Sequence, residues 1–304
     1  MRTFFLATAI LSSTSLLAQP PKAADYSVDN LQLPSEFQKQ VCISGMKYLD
    51  NSLYLVSERC PEIFVIDPKT AAIKQKINLQ VSQMFEMEGI TSYKNKLYLI
   101  SENIAAVYEV DLQTGATTKI STSLALPPKS KDGDGMEGIA ANETNDRFYL
   151  LRERDDNMSH AQIYTFNIEK NKETSAFSLI YESTVELPLE SPQWRYSDIC
   201  YDKENARLIC LKSYAKGKSR QQFIESLEMD KNGKLMPETL KNIPVENFTA
   251  VSAAYKTQRY SMNLEGITIA ADGTIYIVSD NTSGKAQCES LSKENTILLH
   301  LKKN

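Results

Sequence analysis

The chain has 304 residues, with 38 Asp and Glu against 34 Lys and Arg, a formal charge of −4 and a mean hydropathy of −0.35. Such a length holds one large domain or two ordinary ones. Lys and Arg are scattered and form no tracts, which argues against nucleic-acid binding through a basic face.

The chain begins Met1-Arg2, followed by an apolar run from Phe4 to Ala18 broken only by Thr and Ser, and then Gln19-Pro20-Pro21. A positive start, a short apolar stretch and a cleavage site are the parts of a secretory signal peptide. Residues 1–18 are therefore expected to be removed, leaving 19–304 as a single periplasmic or secreted domain. No later segment is apolar over the ~20 residues that a membrane-spanning helix needs. An uncleaved anchor is the alternative.

Five cysteines, Cys42, Cys60, Cys200, Cys210 and Cys288, would then lie where disulfides persist. A turn at Asp50-Asn51 sets Cys42 near Cys60, and a turn near Glu204-Asn205 sets Cys200 near Cys210. The expected pairs are 42–60 and 200–210, with Cys288 left over; buried thiols are the alternative.

One phrase recurs five times, at 44–59, 88–103, 137–154, 197–214 and 265–281. Each copy has an apolar opening, a polar turn such as Asp50-Asn51, Lys94-Asn95 or Asp272-Gly273, and a run such as LYLVS, LYLIS, FYLLR, LICLK or IYIVS. Two β-prone runs joined by a short turn make a hairpin. A second hairpin follows most copies, so each unit has the four strands of a propeller blade. The fifth unit has one further strand, Thr296–Leu301, and its missing outer strand is expected from the N-terminus, around Tyr26–Leu33. The expectation is an all-β propeller of five four-stranded blades, with six the alternative. Pairing first and last segments would also remove a free sheet edge.

Two columns of the repeat are chemically loaded. The opening column contains Ser44, Glu88, Glu137, Ser197 and Glu265, which a propeller would place around one mouth of its channel. The column ending the second strand contains Glu58, Glu102, Glu153, Ser213 and Asp280, followed by Arg59, Asn103, Arg154, Tyr214 and Asn281. A hairpin returns to its starting end, so both columns share a face. Carboxylates gathered out of bulk water must take up protons, pair with cations or bind a metal. All-oxygen donors without neighbouring His or Cys suit a hard ion such as Ca²⁺. The candidate ligands are Glu88, Glu137, Glu265, Glu102 and Asp280. The structural alternative is that each acid ties one blade to the next. Asp132-Gly-Asp-Gly and Asp155-Asp-Asn add oxygen on the same side, or are simply turns.

Histidine chemistry is poorly supplied, with only His160 and His300, and no nucleophile elbow, His-Glu-x-x-His motif or phosphate loop occurs. The sole tryptophan, Trp194, sits beside Arg195, where it either rims a pocket or packs between blades.

EGIT, EGIA and EGIT, followed by LYLISEN, FYLLRER and IYIVSDN, together with SDICYDKENARLICLKSY, resemble the SdiA-regulated family and the related "esterase-like activity of phytase" repeat domains. The resemblance covers roughly residues 40–301. It implies an exported bacterial propeller with a calcium-capable acidic channel, and suggests ester or phosphoester hydrolysis. In that reading Glu137 or Glu153 is the general base, and Arg154 or Arg195 steadies developing negative charge. Ser44, Ser197 and Ser213 interrupt the acid columns and weight them toward the second, third and fifth repeats. The competing expectation is a non-catalytic, monomeric binding propeller that holds a small molecule or surface ligand at the channel mouth, with calcium as structural glue. A scaffold for protein partners is a third.

Overall fold

The structure is a computed structural model that describes residues 25–39, 41–81, 85–131, 134–170, 177–217, 219–246, 248, 259–281, 288 and 290–304. The expected signal segment, 1–18, lies outside the described residues, as do Asp132 and Gly133. No helix among the described residues is long and apolar enough to cross a membrane.

Five antiparallel sheets form the blades of a propeller. Blade 1 runs outward as Ile43–Leu49, Ser52–Ser57, Glu62–Ile66 and Ile73–Asn78. Blade 2 follows with Met87–Tyr93, Lys96–Ser101, Ala106–Val110 and Thr117–Lys119. Blade 3 has Met136–Asn142, Arg147–Arg152, His160–Lys170 and Phe177–Pro188, with Ser121–Thr122 added parallel at its outer edge. Blade 4 consists of Trp194–Asp202, Arg207–Lys216, Ser219–Glu228 and Lys241–Asn242.

Blade 5 closes the ring. Its strands Asn263–Ile269, Ile275–Asp280 and Leu298–Lys303 come from the C-terminal part of the chain, and the fourth is Tyr26–Leu31 from the N-terminal part. Tyr26 pairs with Lys303 and Leu31 with Leu298 in antiparallel register. The expected closure thus holds, with the C-terminal strand displaced two residues from Thr296–Leu301.

The apolar runs are continuous because both faces of each blade are covered. Along Lys96–Ser101, Leu97 and Leu99 pack toward blade 1, while Tyr98 and Ile100 pack toward blade 3. Five such cores lie between neighbouring blades. The turns follow their residues: Asp50 and Asn51 have φ of 47° and 54°, and Lys94 and Asn95 have 50° and 62°. Positive φ at both central residues is the two-residue turn whose twist matches a hairpin.

The disulfide is not either of those expected from spacing. Cys60 is bonded to Cys288, with Cα atoms 5.2 Å apart and 228 residues between them. Cys200 lies opposite Ile209, and Cys210 opposite Ile199. This register turns the two thiols to opposite faces of blade 4, Cys200 into the core shared with blade 5 and Cys210 into the core shared with blade 3. They remain buried thiols. Cys42 lies opposite Glu58, whose N–H donates to its carbonyl at 2.8 Å, so Cys60 is already past the hairpin end and meets blade 5 instead.

Candidate functional site: an acidic channel mouth

Every inner strand carries a β-bulge at the same place. Register shifts fall between Ile43 and Gly45, Met87 and Gly89, Met136 and Gly138, Tyr196 and Asp198, and Leu264 and Gly266. The residues skipped are Ser44, Glu88, Glu137, Ser197 and Glu265, which is the whole opening column. An extra residue in one strand has no cross-strand partner and is re-aimed, a common device beside functional sites. Glycine follows in four blades because the inner strands nearly touch: a Cβ on Gly89 would lie 2.7 Å from the Glu137 carbonyl oxygen. Blade 4 has Asp198 there instead. Its carboxylate accepts from Ile199 N at 2.8 Å and Ile267 N at 2.9 Å, bridging blades 4 and 5 through the axis.

The second column sits on the same face. Glu102 N donates to the Glu86 carbonyl at 2.9 Å, Glu153 N to that of Gly135 at 3.1 Å, and Asp280 pairs with Asn263. This cross-strand pairing exposes a third column, two residues before the first, that sequence reasoning missed: Cys42, Glu86, Gly135, Arg195 and Asn263. Because its members are chemically unlike, no repeat signal marks it. Arg195, expected from the sequence beside Trp194 and as one of two arginines to steady negative charge, is its central member.

The acids divide into those with a countercharge and those without. Arg195 Nη1 lies 3.3 Å from Glu153 Oε2, while Nη2 donates to Glu265 Oε1 and, at 2.9 Å, to Asn263 Oδ1. Lys129 bridges Glu86, at 3.0 Å, and Glu102. Arg154 binds Asp134, lies 3.5 Å from Glu153 and donates to the Pro192 carbonyl at 2.8 Å. Arg59 pairs with Glu58 at 2.6 Å. Lys129 and Glu86 also escaped sequence reasoning, because they come from a loop and from the unmarked column, whereas Asp134 belongs to the Asp132-Gly-Asp-Gly segment expected on this side.

Glu88 and Glu137 are buried with no cation paired to either among the described residues. Glu265 is half-satisfied: its Oε2 is buried without a hydrogen-bond partner. Nine carboxyl groups (Glu58, Glu86, Glu88, Glu102, Asp134, Glu137, Glu153, Glu265 and Asp280) thus face four cations on this mouth among the described residues. Burial, reinforced by neighbouring carboxylates, pushes Glu88 and Glu137 well above the ordinary glutamate range. For Glu88 those neighbours are Glu58, Glu102 and Glu265, and for Glu137 they are Glu153, Glu88, Glu102 and Glu265. Burial likewise raises Glu102 and Glu265 to about 7 and Glu58 to about 6.

The donor set, all carboxylate oxygen with one orphaned buried oxygen, suits a hard divalent cation. The spacing is not that of a closed cage: among the described residues, no three His, Cys, Asp or Glu side chains stand together as a ready metal cluster.

The remaining candidates stand apart from this network. His160 Nδ1 lies 2.9 Å from Ser159 Oγ and 3.8 Å from Asp155. His300 lies in the third strand of blade 5, 3.5 Å from Asp29. Trp194 packs within its own blade on Tyr214 and Phe223, at centroid distances of 5.0 and 5.5 Å, and Lys212 lies 5.4 Å over its ring.

No curated protein sequence matches the chain. Among solved structures, it is similar to a glutaminyl cyclase from Myxococcus xanthus, with 12% identity, a TM-score of 0.49, and 93% of this chain and 100% of that one covered. A luciferin-regenerating enzyme aligns with 11% identity and a TM-score of 0.46 over 91% of this chain and 95% of that one. The PQQ-bound aldose sugar dehydrogenase from Streptomyces coelicolor gives 11%, 0.45, 92% and 99% in the same order. The Phytase-like family, described as esterase-like activity of phytase, matches residues 42–282, from the first inner strand through the second strand of blade 5, and the chain belongs to that family.

Proposed function

We propose that the acidic mouth is the active centre of an exported hydrolase acting on ester or phosphoester bonds, with Ca²⁺ as its cation. The observation that carries this reading is that Glu88 and Glu137 are both buried at this mouth with no cation paired to either among the described residues. A fold gains nothing from such a pair unless a proton or a cation joins it. Glu88, Glu137 and the open oxygen of Glu265 are the first ligands, with Glu102 and Asp280 behind them.

When bound, the cation would polarise a phosphoryl or carbonyl oxygen and lower the pKa of a bound water. Glu137, which has no ion pair among the described residues, is the better general base, with one oxygen for the cation and the other for the water. Glu153 is already held between Arg154 and Arg195, and serves to orient them. Arg195, reaching into the mouth from blade 4, is placed to meet developing negative charge better than Arg154, which is committed to Asp134 and Pro192. The Cys60–Cys288 disulfide supports an oxidising compartment, hence export.

The test is a panel of aryl phosphates, phosphodiesters, carboxylic esters and lactones, assayed after chelator treatment and again with added CaCl₂. Calcium-restored turnover that Glu137→Gln abolishes is the expected result. Thermal stabilisation by calcium with no turnover on any substrate would favour the binding propeller, in which the arginine–glutamate links between blades are purely structural.

A further inference from the structure

The opposite mouth of the channel, at the hairpin turns, opens into a cavity of about 640 Å³. Pockets of this size hold drug-sized molecules. Its walls include Tyr48, Leu49, Ala141, Tyr201 and Ile269, and Lys47 also lines it. Lys47 is set three residues past the bulge of blade 1. The corresponding residues of the other inner strands are Thr91, Ala140, Cys200 and Thr268, all buried and all short, so of these five positions Lys47 alone carries a long side chain.

Among the described residues, the Lys47 side chain makes no hydrogen bond or ion pair. The acidic groups that act on it are Asp198 of blade 4 and Glu143 at the blade 3 turn, and the buried thiol of Cys200 also faces it. Both carboxylates are already engaged: Asp198 by the amides of Ile199 and Ile267, and Glu143 by the amide of Lys94 at 2.7 Å. Burial holds the Lys47 ammonium below the ordinary lysine range. A desolvated amine with no ion-pair partner, opening on a cavity, is the form of lysine that attacks carbonyl carbon.

From this cavity and its unpaired amine we infer a second site, in which Lys47 forms an imine with a small, neutral, apolar aldehyde or ketone. Nζ adds to the carbonyl carbon, the two amine hydrogens leave with the carbonyl oxygen as water, and a C=N bond replaces C=O. No oxidant or other reactant is consumed. Neutral ligands fit better than anions, because Asp50, Glu143 and Glu204 at this mouth outnumber Lys203 and would repel negative charge, while Asp202 is already paired with Arg207 at 2.9 Å. The site is at the far end of the channel from the acidic mouth and stands independently of the hydrolase reading.

The experiment uses the unmodified protein at pH 7 with benzaldehyde and sodium cyanoborohydride, followed by digestion and mass spectrometry of each lysine. An ordinary lysine is neutral in only about one molecule in 2,500 at that pH. Lys47 should be benzylated at least about tenfold faster than the exposed Lys69, Lys119 and Lys231, and its rate should level off at a lower pH than theirs. Labelling at or below the rate of those three, or a pH profile matching theirs, would overturn the site.

Discussion

Arg195 of blade 4 binds Glu265 of blade 5 through one carboxylate oxygen only, leaving Oε2 of Glu265 buried and without a partner. The same guanidinium reaches Glu153 of blade 3, so one side chain ties three blades across the mouth. Removing one partner of such a buried pair strands the other charge, at a cost of about 3–5 kcal/mol. Arg195→Met should therefore lower stability by about 3 kcal/mol at pH 8, as measured by urea denaturation. The loss should be smaller at pH 5, where Glu265, raised to about 7, is protonated in the folded state and no bare charge is stranded.

The wild-type protein should show an unusual pH dependence. Glu58, at about 6, and Glu102 and Glu265, at about 7, hold protons in the fold that the unfolded chain releases near 4.5. Between those limits the native state binds more protons, so their contribution to stability falls as pH rises from about 4.5 through 7. Below 4.5 both states are protonated and the contribution is complete. In chelator, the melting temperature should be higher at pH 5.5 than at pH 8, the reverse of a protein stabilised by ionised carboxylates. Calcium should shrink the difference by stabilising the ionised form. A melting temperature that rises from pH 5.5 to 8 in chelator would remove the electrostatic basis of the cation site.

Glu88→Gln and Glu137→Gln separate folding from function at the same place. Each removes a buried acid that has no countercharge, so in chelator at pH 8 each variant should be more stable than wild type by about 1–2 kcal/mol. Each should also lose the calcium-dependent rise in melting temperature. Glu102→Gln should behave differently, because Lys129 would lose one of its two carboxylate partners. It is expected to be neutral or slightly destabilising. If all three variants respond alike to calcium, the cation does not sit between Glu88 and Glu137.

The blade was legible in the sequence because one physical requirement, burial on both faces, is written into every LYLIS-type run, and the turn residues mark its ends. The opening column was legible too, since chemically similar residues repeat. What the letters do not carry is the bulge that turns Glu88 or Glu137 out of the ladder, because a bulge is a property of the pairing of two strands. Arg195 was missed as the central residue for a related reason: it shares a column with Cys42, Glu86, Gly135 and Asn263, and unlike residues leave no pattern. Asp198 shows the converse. It stands where four blades have glycine, and looks like a lapse in the repeat until its carboxylate is seen to receive the amides of Ile199 and Ile267. The disulfide went astray on register alone, since a one-residue offset sends Cys200 and Cys210 to opposite faces.

The Cys60–Cys288 bond gives the last prediction. It joins the end of the first hairpin of blade 1 to the segment before the third strand of blade 5, beside the seam where N- and C-terminal strands close the ring. That seam is also held by Asn281, whose side chain donates to the Lys39 carbonyl at 2.6 Å and accepts from Cys42 N. A crosslink closing a loop of this length restricts the unfolded chain by up to about 5 kcal/mol in the chain-entropy account. Cys60→Ser, or reduction with a phosphine, should therefore lower the denaturation midpoint steeply. Cys200→Ala and Cys210→Ala should cost only the packing of a small buried side chain, about 1–2 kcal/mol, and should leave sensitivity to reductant unchanged. Peptide mapping without reduction checks the pairing directly, since a 60–288 crosslinked peptide is expected and a 42–60 or 200–210 peptide is not. If Cys60→Ser leaves the unfolding free energy within about 0.5 kcal/mol of wild type, the strand pairing of Tyr26–Leu31 with Leu298–Lys303 is sufficient by itself to close the ring.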